Sequence, residues 1–116
     1  MNTSETVDIL GALAQETRFE VFRLLAKAGA KGLPAGEIGS RLSIAPPTLS
    51  FHLSRLESAG LLQSRRDGRS IIYSTRPEKT LRFGAWINEC CSKAAAKGGS
   101  AKGSPAKKAA KPKNRR

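Results

Sequence analysis

The chain has 116 residues, 21 of them Lys or Arg against 9 Asp or Glu, a net charge of +12. That length allows one small domain, and plentiful aliphatics with few aromatics favour a helical core over a β-sandwich. Residues 1–92 hold 12 basic and 9 acidic residues, while 93–116 hold 9 basic and none acidic, an asymmetry that points to a polyanion, nucleic acid first and an anionic membrane surface second.

The opening MNTSETVDIL lacks a basic n-region and an apolar h-region, so no secretory signal is expected. Nor does any stretch approach the roughly 18 consecutive apolar residues of a membrane span. Val7, Leu10 and Ala14, with Leu13 beside them, predict a short first helix. Thr17-Arg18-Phe19-Glu20 reads as a capping box, with Thr17 at the N-cap and Glu20 at N3. The second helix then runs to about Ala28, its surface largely covered by Phe19, Val21, Phe22, Leu24 and Leu25. Gly29 and Gly32 end it. A brief third helix spans Ala35 to Leu42, with Ile38 and Leu42 one turn apart.

Ser43 to Pro46 form a tight turn into the stretch from Pro46 to Gly60, PPTLSFHLSRLESAG. Two prolines suit a helix start, because first-turn N–H groups have no partner within the helix and proline's φ is already helical. Leu49, Leu53 and Leu56 recur at i, i+4 and i+7 as one apolar stripe, and Gly60 stops the helix. Thr48, Phe51 and Arg55 lie on the opposite side, with Ser50 and His52 at the flanks. An exposed phenylalanine among hydroxyls and an arginine suits base-edge contacts; the bland alternative is an amphipathic core helix with one stray aromatic. Two short helices joined by a tight turn, the second polar outside, make a helix-turn-helix.

After Gly60 the period drops towards 2. Leu61 to Arg66 and Arg69 to Thr75 flank Asp67-Gly68, a pair suited to a type I′ hairpin. Arg65, Arg66 and Arg69 crowd its tip, either for solubility or as a finger reaching phosphate and the minor groove; the preceding helix-turn-helix favours the finger. Pro77-Glu78 opens a fifth helix to about Ala94, carrying Leu81, Phe83, Trp86, Ile87, Cys90 and Ala94. So apolar a terminal helix on so small a core is expected to pair with its copy in a second subunit. Cys90 and Cys91 are adjacent, and their Cα atoms, about 3.8 Å apart, fall short of the roughly 4.4–6.8 Å that disulfides use. A reducing cytoplasm is the expected location. Residues 94–116, rich in Lys, Ala, Gly and Pro, read as a disordered basic tail after a 1–93 domain.

With ALAQETRFEVFRLL, TLSFHLSRLESAGLL and RRDGRSIIY at these intervals, the chain resembles the ArsR/SmtB family of bacterial winged-helix repressors over roughly residues 7–92. The resemblance implies a mainly α fold with a small β-hairpin wing, in ααααββα order, dimerising through terminal helices. It implies no enzyme, but a homodimer that holds double-stranded operator DNA with no cofactor and releases it when an inducer binds. It assigns DNA recognition to Thr48, Ser50, Phe51, His52 and Arg55, and the wing to Arg65, Arg66 and Arg69. For His52, the only histidine, a structural hydrogen bond competes with a phosphate or base contact.

The family's inducer sites differ. Its familiar arsenic pair, Cys-x-Cys at the start of the third helix, falls here on Pro34 and Gly36, which cannot ligate. Its zinc-type site needs histidines and carboxylates on the last helix, where only Glu78 and Glu89 are acidic and no histidine occurs. What remains is Asn88-Glu89-Cys90-Cys91, similar to an arsenic-responsive subgroup with thiols at this place. That subgroup often carries a third cysteine a few residues on, and this chain has none.

Paired thiolates suit thiophilic ions, and trivalent arsenic or antimony needs only two or three sulfurs. Adjacent helical residues point about 100° apart, so chelation is expected to distort the last turn. The bland alternative packs both cysteines as small hydrophobes in a dimer seam. Rival functions are a redox-sensing repressor of the same fold and an architectural DNA-coating protein dominated by the tail. A thiol enzyme is disfavoured, because its general base would have to be the distant His52.

Overall fold

The structure, a computed structural model, describes residues 1–98, and side chains within residues 1–92. The order is α1 (Thr3–Leu13), α2 (Glu16–Ala28), a 3-10 turn (Gly29–Lys31), β1 (Leu33–Pro34), α3 (Ala35–Leu42), α4 (Pro46–Ser58), β2 (Leu62–Asp67), β3 (Ser70–Thr75) and α5 (Pro77–Gly98). Two compact units divide at Phe83–Gly84, and α5 runs from one into the other.

Asn2 caps α1 through a capping box: its Oδ1 accepts from Glu5 N over 2.8 Å, while its own N–H donates to Glu5 Oε1 over 3.2 Å. That N–H holds the Glu5 carboxyl below its ordinary range. The helix buries Thr6, Ile9 and Ala12. This is not the face that the Val7–Leu10–Ala14 spacing predicts, since Val7 and Leu10 remain 59% and 47% exposed. The buried stripe carries a threonine where the exposed one carries a valine, and Ala12 is small enough to let the neighbouring helices approach closely. Thr6 is tolerated because its hydroxyl donates to Asn2 O over 2.8 Å.

The N-cap of α2 is Gln15, not Thr17, which lies inside the helix. The longer amide reaches the third helical N–H, accepting from Arg18 N over 2.8 Å. Arg18 then turns back, its Nε donating to Ala12 O over 2.6 Å, and so satisfies a carbonyl that the end of α1 leaves without a helical partner. Val21 and Leu25 are fully buried, whereas Phe19 is 42% exposed.

Three residues, Ser43 to Ala45, separate α3 from α4, one fewer than expected; Ser43 caps α3 in the left-handed region at φ 56°. The leucine stripe behaves as its period requires: Leu49, Leu53 and Leu56 are 3%, 2% and 0% exposed. The end of α4 is a Schellman motif, with Leu61 N–H on Leu56 O at 3.1 Å and Gly60 N–H on Glu57 O at 3.0 Å. Leu61 and Leu56 are both wholly buried and supply the apolar contact that accompanies such caps.

β2 and β3 pair antiparallel from Leu62↔Thr75 to Asp67↔Ser70, so the two turn residues are Gly68 and Arg69. Only Gly68 has positive φ, 65°. A turn with glycine first is of the II′ kind rather than the expected I′. A third strand joins the hairpin without any periodic signature: β1 pairs with β3 as Leu33↔Tyr73 and Pro34↔Ile72, giving the sheet order β1-β3-β2. Two residues are too few to show a period.

Within the first unit, α5 begins with Lys79 lying over Gly60 and its Nζ 4.0 Å from Glu5. Phe83 packs against the core. In the second unit the helix continues to Gly98, past the expected end at Ala94. Residues 94–98 of the expected disordered tail are thus helical, and 99–116 lie outside the described residues. Among the described residues no helix is long and apolar enough to cross a membrane.

Candidate nucleic-acid interface

The proline pair sets what α4 can offer at its start. Pro46 and Pro47 carry no N–H, and Leu49 N–H already bonds Ala45 O at 2.9 Å. Thr48 is therefore the first-turn residue with a backbone donor and a hydroxyl to give. The buried leucines turn Thr48, Ser50 and Phe51 outward, and Phe51 is 65% exposed. An aromatic ring left this far in water adds little to the fold, but it can meet the face or methyl of a base.

Arg55 shares that side of α4 but is half-buried against α1. Its Nη1 lies 3.5 Å from Asp8 Oδ1. Gly11 makes the room, since a Cβ there would stand 3.1 Å from Arg55 Nη2. No periodicity links Asp8 or Gly11 to Arg55, so reading the chain locally could not find this contact.

His52 is not at the surface. It is 7% exposed, and its Nδ1 has no hydrogen-bond partner among the described residues. Its ring meets Phe51 edge-on, with centroids 5.9 Å apart. Burial, and then the positive charge of Arg18, hold its pKa below the ordinary 6.5. A neutral, enclosed ring is ill placed for phosphate or base edges. Its position three residues after the buried Leu49 and one before the buried Leu53 draws it under the helix, away from the surface that a phosphate or base contact requires.

The three wing arginines divide. Arg65 donates from Nη2 to Lys31 O at 2.8 Å and from Nη1 to Ala30 O at 3.5 Å, so its guanidinium clamps the wing to the 3-10 turn. Arg66, at the end of β2, and Arg69, in the turn, are exposed as Arg65 is but make no such bond among the described residues.

Cys90 and Cys91 are exposed, free thiols on α5 in the second unit. Among the described residues no group of three or more His, Cys, Asp and Glu could hold a metal ion. Any thiophilic ion at this pair would therefore have two sulfurs from one chain. Pro34 and Gly36, at the junction of β1 and α3, offer no ligating side chain.

A family described as a helix-turn-helix domain matches residues 13–65. The chain is 37% identical over 70 residues to the HTH-type transcriptional regulator YceK of Bacillus subtilis, covering 60% of this chain and 69% of that protein. It is 33% identical over 82 residues to the arsenic resistance transcriptional regulator ArsR2 of Pseudomonas putida, covering 71% and 66%. An ArsR-like transcriptional regulator from Rhodococcus superposes with a TM-score of 0.71 at 23% identity, over 81% of this chain and 86% of that one. A homodimeric winged helix-turn-helix DNA-binding domain from Mycobacterium bovis superposes at 0.62 and 24%, over 78% and 81%.

Proposed function

Because the chain belongs to the ArsR family of helix-turn-helix transcriptional regulators, we propose that it is a repressor that binds operator DNA as a homodimer and leaves it when trivalent arsenic or antimony binds Cys90 and Cys91. The observation that carries this reading is the pair of adjacent, exposed thiols on α5. Arsenite, As(OH)3, can exchange two hydroxyls for the sulfurs of two thiols, whose protons leave with those hydroxyls as two waters, and keep one oxygen; a methylated arsenical already has its third position filled. The likeness to ArsR2, whose name ties it to arsenic resistance, supports the same ligand class.

DNA is read by Thr48, Ser50 and Phe51 in the major groove, with Arg66 and Arg69 of the wing on phosphates. A dimer is favoured by apolar side chains left in water: Val7 and Leu10 on α1, and Leu81, 70% exposed, on α5. Such a dimer reads half-sites about 34–36 Å apart, so the spacing of the two α4 helices governs affinity. The two thiols project about 100° apart on a helix, so chelation strains α5 and biases that spacing. A coupling of roughly 1–3 kcal/mol changes DNA affinity about 5–150-fold.

The test is release of a bound duplex titrated with arsenite, methylarsenite and antimonite on wild type, Cys90→Ser and Cys91→Ser. Either substitution should abolish release while leaving DNA binding in place. Release that is unchanged in both variants would sink the thiol reading. The exposure of the thiols also suits a redox sensor. A disulfide-linked dimer on non-reducing electrophoresis after mild peroxide, without any response to metalloid, would select that reading instead.

A further inference from the structure

Among the described residues, Arg55 is the basic side chain on the recognition face of α4 that is already paired. Thr48, Ser50 and Phe51 point into water, while Arg55, one turn beyond Phe51, folds back over α1 to Asp8. The pair is loose. A single Nη1–Oδ1 approach of 3.5 Å engages one of the guanidinium's five N–H groups, and the two side chains stay 32% and 51% exposed. The place is nonetheless built, because Gly11, three residues after Asp8 on the same face of α1, leaves a gap that any side chain would narrow. A phosphate offers the same guanidinium two parallel hydrogen bonds in place of one.

We propose that Asp8 competes with DNA for Arg55, so that α1 sets the affinity of the recognition helix by holding back one of its charges. In free protein Arg55 rests on Asp8 over Gly11; on the duplex it swings to a phosphate and Asp8 is left to water. An exposed pair of this kind contributes little, so the expected effect is a trimming of affinity by about two- to fivefold rather than a switch. The inference rests on the reading of α4 as the DNA-contacting helix.

The experiment uses the full chain and a fluorescent duplex selected from a random-sequence library by the wild type. Asp8→Asn should bind that duplex about two- to fivefold more tightly. Gly11→Ala, whose Cβ would stand 3.1 Å from Arg55 Nη2 and oblige the guanidinium to give by a few tenths of an ångström without changing any charge, should shift affinity in the same direction and by less. In an Arg55→Ala background both substitutions should lose their effect. Asp8→Asn tightening binding equally with and without Arg55 would reduce Asp8 to a bulk repulsive charge and overturn the proposal. So would weaker binding by Asp8→Asn with a normal melting temperature, which would mean that Asp8 positions Arg55 for DNA. If the selection enriches no duplex at all, the regulator reading fails first and this inference falls with it.

Discussion

Arg65 of the wing donates to the main-chain oxygen of Lys31 over 2.8 Å, 34 residues away in sequence, and so ties part of its guanidinium to the protein. Arg66, the next residue, has no such tether among the described residues. Neighbours in sequence with the same side chain therefore have separable roles. Arg65→Ala should lower stability by about 1 kcal/mol, the usual cost of removing a hydrogen bond, read as a denaturant midpoint. Arg66→Ala and Arg69→Ala should change stability by less than about 0.5 kcal/mol. Each should instead flatten the log–log salt dependence of DNA binding by about 0.9 per protomer, or roughly 1.8 for the dimer. An equal salt effect from all three would contradict the division.

Phe51 tests whether the outward face of α4 exists for the fold or for a partner. At 65% exposure its ring adds little to the core. Phe51→Ala should leave the melting temperature near wild type, a change within about 0.5 kcal/mol. The preference for a selected duplex over a scrambled one should fall. A large loss of stability would return Phe51 to a structural role.

The buried imidazole predicts a direction with pH. His52 has its pKa held below 6.5 by burial and by Arg18, so the unfolded chain binds its proton at higher pH than the folded one does. Just below that value the unfolded state carries more protons, and stability must fall as pH falls. Well above it the group contributes no slope. His52→Phe keeps a ring of similar bulk and should flatten the loss between about pH 7 and about pH 5. An unaltered profile would mean that other groups cause the acid sensitivity.

The small third strand makes Gly32 hard to replace. Its φ is 73°, and a Cβ there would stand 2.3 Å from the Tyr73 carbonyl oxygen, next to the β1–β3 pairing. Gly32→Ala should destabilise the fold by more than about 1 kcal/mol. Gly36, in the first turn of α3 with open space around it, should gain up to about 1 kcal/mol from the same substitution. Thermal melts of the two variants should move in opposite directions.

Residues 94–116 should bind DNA through charge alone. Their structure beyond Gly98 lies outside the described residues, but the charge is covalent and does not depend on it. Removing 94–116 should weaken binding to selected and random duplexes alike. The salt slope should drop by about 0.9 for each phosphate the segment neutralises in the full chain. An unchanged slope would show that the segment does not touch the duplex.

The sequence alone determined the elements whose evidence is local. Leu49, Leu53 and Leu56 mark the inward side of α4 because an amphipathic helix repeats every 3.6 residues. Pro46 and Gly60 bound it, and Asp67-Gly68 places the hairpin to within a residue. What only the tertiary structure decided is what those elements meet. Two stripes on α1 are equivalent by period, and packing chose Thr6, Ile9 and Ala12 over Val7 and Leu10. Arg55 and Arg65 find partners 47 and 34 residues away, and His52 goes under the helix rather than onto it. Long polar side chains reach across elements, so their partners depend on which backbones the core has brought alongside, and periodicity along one segment carries no record of that.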